Sequence, residues 1–142
     1  MHDIGKIGIP DSVLLKEGPL SAPEQEMMRA HPRIGYDILK GSPSKYLSMG
    51  AIIALGHHEK FDGTGYPNGL HGEDIPIVAR CVAVADVFDA LVSERPYKRA
   101  WPVEEAIDHM KGQRGKHFDP RCVDAFLADR ARIQTILDEF GD

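Results

Sequence analysis

The sequence is short of cysteine: it has two, Cys81 and Cys122, in 142 residues. Two thiols are too few for the disulfide framework that stabilises many small secreted domains. Both cysteines lie within apolar patterns of helical spacing, so we expect them to be buried thiols in a reducing compartment. The sequence therefore argues against a disulfide-rich extracellular protein, and a cytoplasmic location is the default expectation.

Long apolar runs and an excess of positive charge are also missing. No apolar run is long enough to span a membrane, and no signal peptide is visible. The formal net charge is −5, which argues against a general binder of nucleic acid or of anionic membranes. An anionic small substrate is still compatible with this charge if metal ions and a few basic side chains gather in one place.

Alternating strand patterns, internal repeats and low-complexity tracts are absent too. The β-branched residues fall mainly in windows of helical periodicity. A chain of 142 residues suits one domain with one sizeable core. We therefore predict a single all-α domain over residues 1–142, with one large irregular feature, the Gly- and Pro-rich loop from Glu59 to Glu73.

Turn residues separate the predicted helices. Glycines and prolines predict a loop from Ile7 to Pro19, and Pro32 is expected to bend or interrupt the first long helix. The segment from Ile75 to Val92 is apolar almost all round, so we expect it to be the buried centre. The first predicted helix runs from about Ala22 to Leu39 and begins with a Ser21–Glu24 capping box. The helix from Ile75 to Val92 is predicted to follow an Asp74 cap. The other predicted helices run from Lys45 to His58, from Pro102 to Lys111, and from Asp119-Pro120 through Leu137.

Adjacent histidines, His57 and His58, run directly into the Gly- and Pro-rich loop. Neutral imidazole is the commonest protein ligand for transition metals. Neighbouring residues of a helix point about 100° apart, so these two would not readily chelate one small ion together and would suit a site with more than one ion. The alternative is one core histidine and one surface histidine.

Asp86 is a carboxylate in the most apolar predicted helix, without a basic partner nearby along that helix. Burying a bare carboxylate is costly unless it is paired or bound to metal. A salt bridge from Asp86 to Arg95 or Arg99 is the alternative, and Asp89 could be such a structural partner. The turn from Ser93 to Arg99 is basic, so it is either a solvated surface turn or a source of cations for a phosphate.

Three more residues complete a set of metal-ligand types. His2 and Asp3 could equally belong to a disordered terminus, and His31 could be an ordinary half-buried histidine. Two ions bridged by a carboxylate such as Asp3 would activate a water and clamp a phosphodiester, and Lys6 could neutralise charge on a phosphoryl oxygen. Mixed nitrogen and oxygen ligands suit Fe, Mn, Zn or Ni. The candidate metal ligands are His2, Asp3, His31, His57, His58 and Asp86.

Several motifs follow one another in order along nearly the whole chain. They are His2-Asp3-Ile4-Gly5-Lys6, His31 with Gly35-Tyr36, His57-His58-Glu59, Asp62-Gly63, Gly65-Tyr66-Pro67, Gly69-Leu70, Gly72, Ile75-Pro76, Ala79-Arg80, Ala85-Asp86, Phe88-Asp89-Ala90-Leu91, Arg95-Pro96-Tyr97 and Phe118-Asp119-Pro120. This pattern resembles the HD-GYP subgroup of the HD-domain metal-dependent phosphohydrolases. A lone His-Asp pair would be weak support, whereas several long motifs in the right order are highly specific.

The resemblance implies an all-helical bundle with a centre of two or three divalent metal ions, most often iron or manganese. It implies hydrolysis of cyclic di-GMP to the linear dinucleotide or to GMP in bacterial signalling proteins. Asp3 and Lys6 map to catalytic positions, Lys6 near the scissile phosphate, while Arg95 and Lys98 lie where the family tends to place phosphate-contacting cations. Gly65-Tyr66-Pro67 maps to the namesake loop, linked to substrate fit and partner contacts. The implied metal ligands are His2, Asp3, His31, His57, His58 and Asp86.

Family members normally carry helices before the HD pair, and these supply part of the fold and further metal ligands. Here the pair directly follows Met1, so we expect this sequence to correspond to the C-terminal portion of the usual domain, without its N-terminal helices. The apolar surface that those helices cover would then be exposed. We expect a homodimer, or an exchange of elements between two copies, to cover it.

The resemblance leaves two classes of function. The first is a metal-dependent cyclic di-GMP phosphodiesterase. The alternative is a catalytically weak or inactive module whose loop around Tyr66 contacts a signalling partner such as a diguanylate cyclase domain. A phosphohydrolase of a different nucleotide is a third reading. The intact ligand set from His2 to Asp86 favours an enzyme, because a pure binding module has little need of all of it.

Overall fold

The computed structural model describes residues 1–94 and 99–140, and these residues are largely helical. They contain no β-strand, which confirms the all-α prediction. None of the described helices is long and apolar enough to cross a membrane. Two 3-10 helices span Ile4–Gly8 and Gly72–Asp74, and the α-helices are α1 (Asp11–Leu14), α2 (Ala22–Met28), α3 (His31–Leu39), α4 (Lys45–Gly56), α5 (Ile77–Val92), α6 (Val103–Gly112), α7 (Pro120–Leu127) and α8 (Arg130–Phe140).

The first 3-10 helix lies directly on α3, and Gly5 makes this close approach possible. A Cβ atom at Gly5 would lie 1.9 Å from the carbonyl oxygen of His31 and 2.5 Å from the backbone nitrogen of Gly35. Only glycine lacks that atom, so the two backbones can touch at this point. The contact places Asp3, immediately before the 3-10 helix, beside the first turn of α3.

The loop predicted from Ile7 to Pro19 was partly wrong, because α1 lies within it. Ile9 and Val13 are each only 5% exposed. Their burial favours order at a place where the glycines and prolines predicted irregular structure. Pro10, with φ at −57°, forms the N-cap of α1, so this proline starts a helix instead of breaking one.

The predicted interruption of the first long helix at Pro32 was confirmed. Helix α2 ends at Met28, and α3 begins at His31 with Pro32 in its first turn, where a proline costs no intrahelical hydrogen bond. The predicted capping box was also confirmed: the backbone N–H of Ser21 donates to Glu24 Oε2 at 2.7 Å. His31 therefore stands at the start of a helix, with its side chain directed into the protein.

Helix α5 is central, although not in the way its composition predicted. It packs against α4, α6 and α7, but Cys81 is exposed and Ile77 is 52% exposed. The expectation that α5 is buried all round and that Cys81 is a buried thiol was therefore wrong. The predicted cap was wrong as well, because Asp74 ends the second 3-10 helix and Pro76 precedes α5.

The main hydrophobic core lies where the second half of α5 packs against α6, α7 and α8. The single helix predicted from Asp119 through Leu137 is instead two helices, α7 and α8. Asp129 explains the break, because its carboxylate accepts a hydrogen bond from the backbone N–H of Arg132 at 2.9 Å and so caps α8. The buried core residues are Val84, Phe88, Leu91, Ala106, Ile107, Met110, Phe118, Cys122, Val123 and Ile133.

Candidate metal centre

Four predicted ligands from three separate segments meet at one point. Their ligand atoms all lie within 4.8 Å of one another. The Nε2 atom of His31 is 3.3 Å from that of His57 and 3.1 Å from that of His58, and Asp3 Oδ1 is 3.3 Å from His31 Nε2. These separations suit neighbouring ligands of one ion with bonds of about 2.1 Å.

The two adjacent histidines point at the same place, contrary to our expectation. That expectation assumed a helix continuing to His58, but α4 ends at Gly56 and His57 is its C-cap. Beyond the helix end the angular spacing of about 100° no longer applies. The two rings lie 4.0 Å apart between centroids, so a single ion is within reach of both side chains.

Backbone carbonyls fix the protonation of two imidazoles. His31 Nδ1–H donates to the carbonyl of Met28 at 2.7 Å, and His57 Nδ1–H donates to that of Ala54 at 2.9 Å. A carbonyl oxygen can only accept, so in each neutral ring the proton is on Nδ1 and Nε2 carries a lone pair. Two lone pairs facing each other across 3.3 Å repel unless a cation lies between them, so this donor set fits a metal ion.

Burial also keeps these imidazoles in the form that binds metal. It lowers the pKa of His31 and of His57 below the usual range for histidine. Burial, with help from His57 and His31, lowers the pKa of His58 to about 3. Desolvation disfavours the charged ring, so all three histidines are neutral at pH 7 before any metal binds.

His2 and Asp86 form a second group beside the first. His2 Nε2 lies 3.3 Å from Asp86 Oδ1. This hydrogen bond raises the pKa of His2 and lowers the pKa of Asp86. Of the two predicted alternative partners of Asp86, Arg95 lies outside the described residues, and among the described contacts Asp86 pairs with His2 and not with Arg99. Asp89 is exposed, and its carboxylate accepts a hydrogen bond from Ser93 Oγ at 3.4 Å.

Asp3 connects the two groups because its oxygens face opposite ways. Oδ1 points at His31 and also lies 3.6 Å from His57 Nε2, while Oδ2 lies 3.5 Å from His2 Nε2 and accepts a hydrogen bond from Lys6 Nζ at 2.5 Å. Burial alone would raise the pKa of Asp3, but the Lys6 contact and the other positive neighbours outweigh it, and the pKa is lowered. Asp3 is therefore an ionised carboxylate shared between both sides.

The loop after α4 covers one side of the centre. The Tyr66 ring stacks on His58 with 4.8 Å between centroids and an angle of 20° between planes. A Cβ at Gly65 would lie 2.3 Å from the backbone nitrogen of Lys60, so only glycine lets the loop fold back this closely. Pro67 follows Tyr66 through a cis peptide bond.

Glu59 holds this loop in place. Its side chain is buried, and its two carboxylate oxygens accept from the backbone N–H groups of Asn68 at 2.7 Å and Leu70 at 3.0 Å. Charge-assisted bonds of this kind are stronger than neutral ones. Glu59 is thus a structural anchor that sets the position of Tyr66 over the histidines.

These observations agree with a comparison to known families. A family model described as HD domain matches residues 1–122 of the chain. The chain belongs to the HD domain family. The resemblance drawn from the sequence motifs is thereby confirmed.

Several curated relatives of the HD domain are named as phosphodiesterases of cyclic dinucleotides. The chain is 58% identical over 99% of its length to the cyclic di-GMP phosphodiesterase response regulator RpfG of Xanthomonas campestris pv. campestris, of which it covers 37%. It is 54% identical over 89% of its length to a cyclic di-GMP phosphodiesterase of Thermotoga maritima, of which it covers 34%. The chain therefore spans about a third of the length of the curated relatives it matches.

A solved structure supports the fold of this HD domain. The crystal structure of a cyclic GMP-AMP specific phosphodiesterase of Vibrio cholerae superposes with a TM-score of 0.61 at 23% identity. It covers 94% of this chain, and this chain covers 34% of it. At this identity the likeness concerns the fold alone.

The sequence reasoning missed two arginines that contact the loop covering the centre. The Arg29 guanidinium lies 5.1 Å from the centroid of the Tyr66 ring, and Arg33 Nη2 donates to Asn68 Oδ1 at 3.0 Å. Their placement on either side of His31 is a signal that could have found them. The predicted phosphate contacts Arg95 and Lys98 lie outside the described residues.

Proposed function

We propose that this HD domain hydrolyses cyclic di-GMP, with the help of divalent metal ions, to the linear dinucleotide or to GMP. The observation that carries the proposal is the meeting of Asp3, His31, His57 and His58 within 4.8 Å, with two Nε2 lone pairs turned toward each other. The names of the relatives from Xanthomonas and Thermotoga support the choice of substrate.

We propose two or three ions, iron or manganese, as the metal content. Imidazole nitrogen and carboxylate oxygen together suit these metals. When bound, such ions supply a Lewis acid that polarises a phosphoryl group and makes water a better nucleophile at neutral pH. The ligands proposed for them are His2, Asp3, His31, His57, His58 and Asp86.

Lys6 is proposed to contact the scissile phosphate directly. Its side chain is 41% exposed while its Nζ donates to Asp3, so the ammonium group is both accessible and fixed beside the centre. A cation placed where negative charge develops lowers the barrier to phosphoryl transfer. Asp3 orients Lys6 with one oxygen and faces the histidines with the other, which gives both residues a catalytic part.

Binding of the anionic substrate is proposed to involve the loop and basic side chains. Gly65, Tyr66 and Pro67 form the wall over His58, and Arg29 lies against the Tyr66 ring. Guanidinium groups suit phosphate oxygens because their donors form a planar fork. Arg95 and Lys98 remain proposed phosphate contacts on the resemblance alone.

The decisive experiment is hydrolysis of cyclic di-GMP with added Mn²⁺ or Fe²⁺, followed by chromatography of the products. Asp3→Asn should lower the rate by more than about 100-fold, since even outer partners of metal ligands are worth 10- to 100-fold. Asp37→Asn is the matched control, because Asp37 is exposed and pairs only with its helical neighbour Lys40 among the described residues. Equal rates for Asp3→Asn and wild type would contradict the proposal.

The same assay should include 3'3'-cGAMP, since a relative from Vibrio cholerae that is 45% identical is named for that substrate. Faster turnover of 3'3'-cGAMP would change the substrate but keep the reaction class. If metal-loaded protein turns over neither nucleotide but binds a diguanylate cyclase domain, the chain is an interaction module and not an enzyme.

The proposal has three further parts, of which the dimer and the cooperative unit have direct tests. We propose a cytoplasmic location, a homodimer and one cooperative unit over residues 1–142. Light scattering at micromolar concentration would contradict the dimer if it gave the monomer mass. A single unfolding transition by two probes is expected for one cooperative domain.

A further inference from the structure

Two cysteines that the proposed chemistry does not use lie in contact. Cys81 in α5 and Cys122 in α7 are 41 residues apart in sequence, and their Sγ atoms are 3.7 Å apart. Both are free thiols, Cys81 exposed and Cys122 buried. Cys81 is therefore the residue of the pair that lies at the surface, and the sulfur of the buried Cys122 is in contact with its own.

A buried ion pair fixes this contact. Arg80, next to Cys81, pairs with Asp119, which lies three residues before Cys122. The Arg80 side chain is 9% exposed and that of Asp119 is fully buried. The pair joins α5 to α7 at the position of the thiols, so their proximity follows from the packing of the two helices.

We propose that Cys81 and Cys122 are an oxidative modification site, at which hydrogen peroxide converts the two thiols into an intrachain disulfide. A disulfide bond is about 2.05 Å long, so the sulfur atoms must approach by roughly 1.6 Å. The inference does not rest on the proposed phosphodiesterase activity.

The position of each thiol assigns its part in the reaction. Cys81, as thiolate, attacks one peroxide oxygen; the O–O bond breaks, Cys81 becomes a sulfenic acid, and the other oxygen leaves as water after taking a proton. Cys122 then attacks the Cys81 sulfur, the S–O bond breaks, and the hydroxide that leaves takes the Cys122 proton to form a second water. Burial raises the pKa of Cys122 to about 12, which favours the exposed Cys81 as the first nucleophile.

The disulfide would constrain α5, a helix that also carries a proposed metal ligand. Helix α5 carries Asp86, little more than one turn beyond Cys81. A covalent link between α5 and α7 closes a loop of about 40 residues and restricts the unfolded chain. We expect the oxidised protein to have a thermal midpoint at least about 5 °C higher than the reduced protein.

The test is to treat the whole chain with hydrogen peroxide, in parallel samples with and without chelator, and to digest it with trypsin after alkylation. Cleavage after Arg80 and Arg121 puts each cysteine at the head of its own peptide. The expected product in both samples is one cross-linked species joining the Cys81 and Cys122 peptides, lost on reduction with dithiothreitol.

Two variants assign the order of the steps. In Cys122→Ser, Cys81 should gain oxygen atoms because no second thiol can displace the hydroxyl; in Cys81→Ser, Cys122 should stay reduced at the same peroxide dose. The wild-type result decides even if a variant misfolds. Cross-links between different chains, oxygen addition at Cys81 without a cross-link, or no reaction in the chelated sample would each overturn the proposal.

Discussion

Two pairs of carboxylates in this molecule have opposite surroundings. Glu59 and Asp119 are 2% and 1% exposed, and N–H groups of the backbone and of arginine donate to them. The side chains of Asp3 and Asp86 are 37% and 27% exposed, and they face imidazole Nε2 atoms. Among these carboxylates, burial therefore does not distinguish the candidate metal centre; the partner atoms do.

The energetics of the two pairs differ for the same reason. Burial alone would raise the pKa of Asp119, but the bonds from Arg121 and Arg80 outweigh it and the pKa is lowered. Such a carboxylate is satisfied within the fold, so its removal leaves a buried cation without a partner. Asp3 and Asp86 face imidazole nitrogens that can also bind metals, so their removal should reduce metal binding more than stability.

The largest effect on stability is expected for Asp119→Ala. Breaking a buried ion pair by removing one partner costs about 3–5 kcal/mol, because Arg80 would remain buried without its carboxylate. Urea unfolding measures the loss. Asp124→Ala is the matched control, since Asp124 pairs with Arg114 at the surface, and its midpoint should stay within experimental error. Equal effects of the two variants would remove the distinction between buried anchor and surface pair.

Asp86→Asn should show the reverse behaviour. We expect the affinity for Mn²⁺ to fall by at least about 10-fold, because even groups that only support a metal ligand are worth 10- to 100-fold, with the urea midpoint of the metal-free protein nearly unchanged. Titration calorimetry measures the affinity. Asp89→Asn, three residues further on the same helix, should bind Mn²⁺ as the wild type does. A large fall in the urea midpoint without a change in Mn²⁺ affinity would show that Asp86 is a structural carboxylate like Asp119.

Acidification should destabilise the metal-free protein through two histidines, one in the candidate metal centre and one outside it. Burial lowers the pKa of His117, outside the centre, to about 4 and that of His58 to about 3. Unfolded histidine titrates near pH 6.5, so below that pH the unfolded chain binds more protons and stability falls; the effect is at most about 2 kcal/mol per residue at pH 5. His2, whose pKa is raised, acts in the opposite direction. Urea unfolding at pH 7 and pH 5 measures the change.

Single variants separate the two contributions. His117→Gln and His58→Gln should each show a smaller loss of stability between pH 7 and pH 5 than wild type. His71→Gln, at an exposed position, is the control. A wild-type protein that gains stability on acidification would contradict the assignment of neutral, buried imidazoles.

The smallest effect is expected for Glu59→Gln. The neutral amide offers one oxygen where the carboxylate offers two, so one of the N–H groups of Asn68 and Leu70 loses its partner, at a cost of about 1 kcal/mol. Hydrogen exchange at the amide that loses its partner should become faster while exchange in α6 is unchanged. Lys60→Gln, next in sequence but with a partly exposed side chain, should leave both amides protected.

The helices were predictable where local signals acted alone. The capping box at Ser21 and the break before Pro32 depend on neighbouring residues and were confirmed. Two predictions were wrong: that Cys81 is buried, and that one helix runs from Asp119 to Leu137. The burial of Cys81 depends on which face of α5 packs against another helix. The single helix was wrong because Asp129 caps α8 and so divides a segment whose apolar pattern is continuous.

The sequence by itself determined the residue types of the centre, since His2, Asp3, His31, His57, His58 and Asp86 could all be named as ligand types. Only the tertiary structure decided how they meet. Asp3 reaches His31 because Gly5 lets two backbones touch, and His57 and His58 converge because α4 ends at Gly56. The physical reason is that chemistry is carried by side-chain type, which is local, whereas distances between residues far apart in sequence arise from packing.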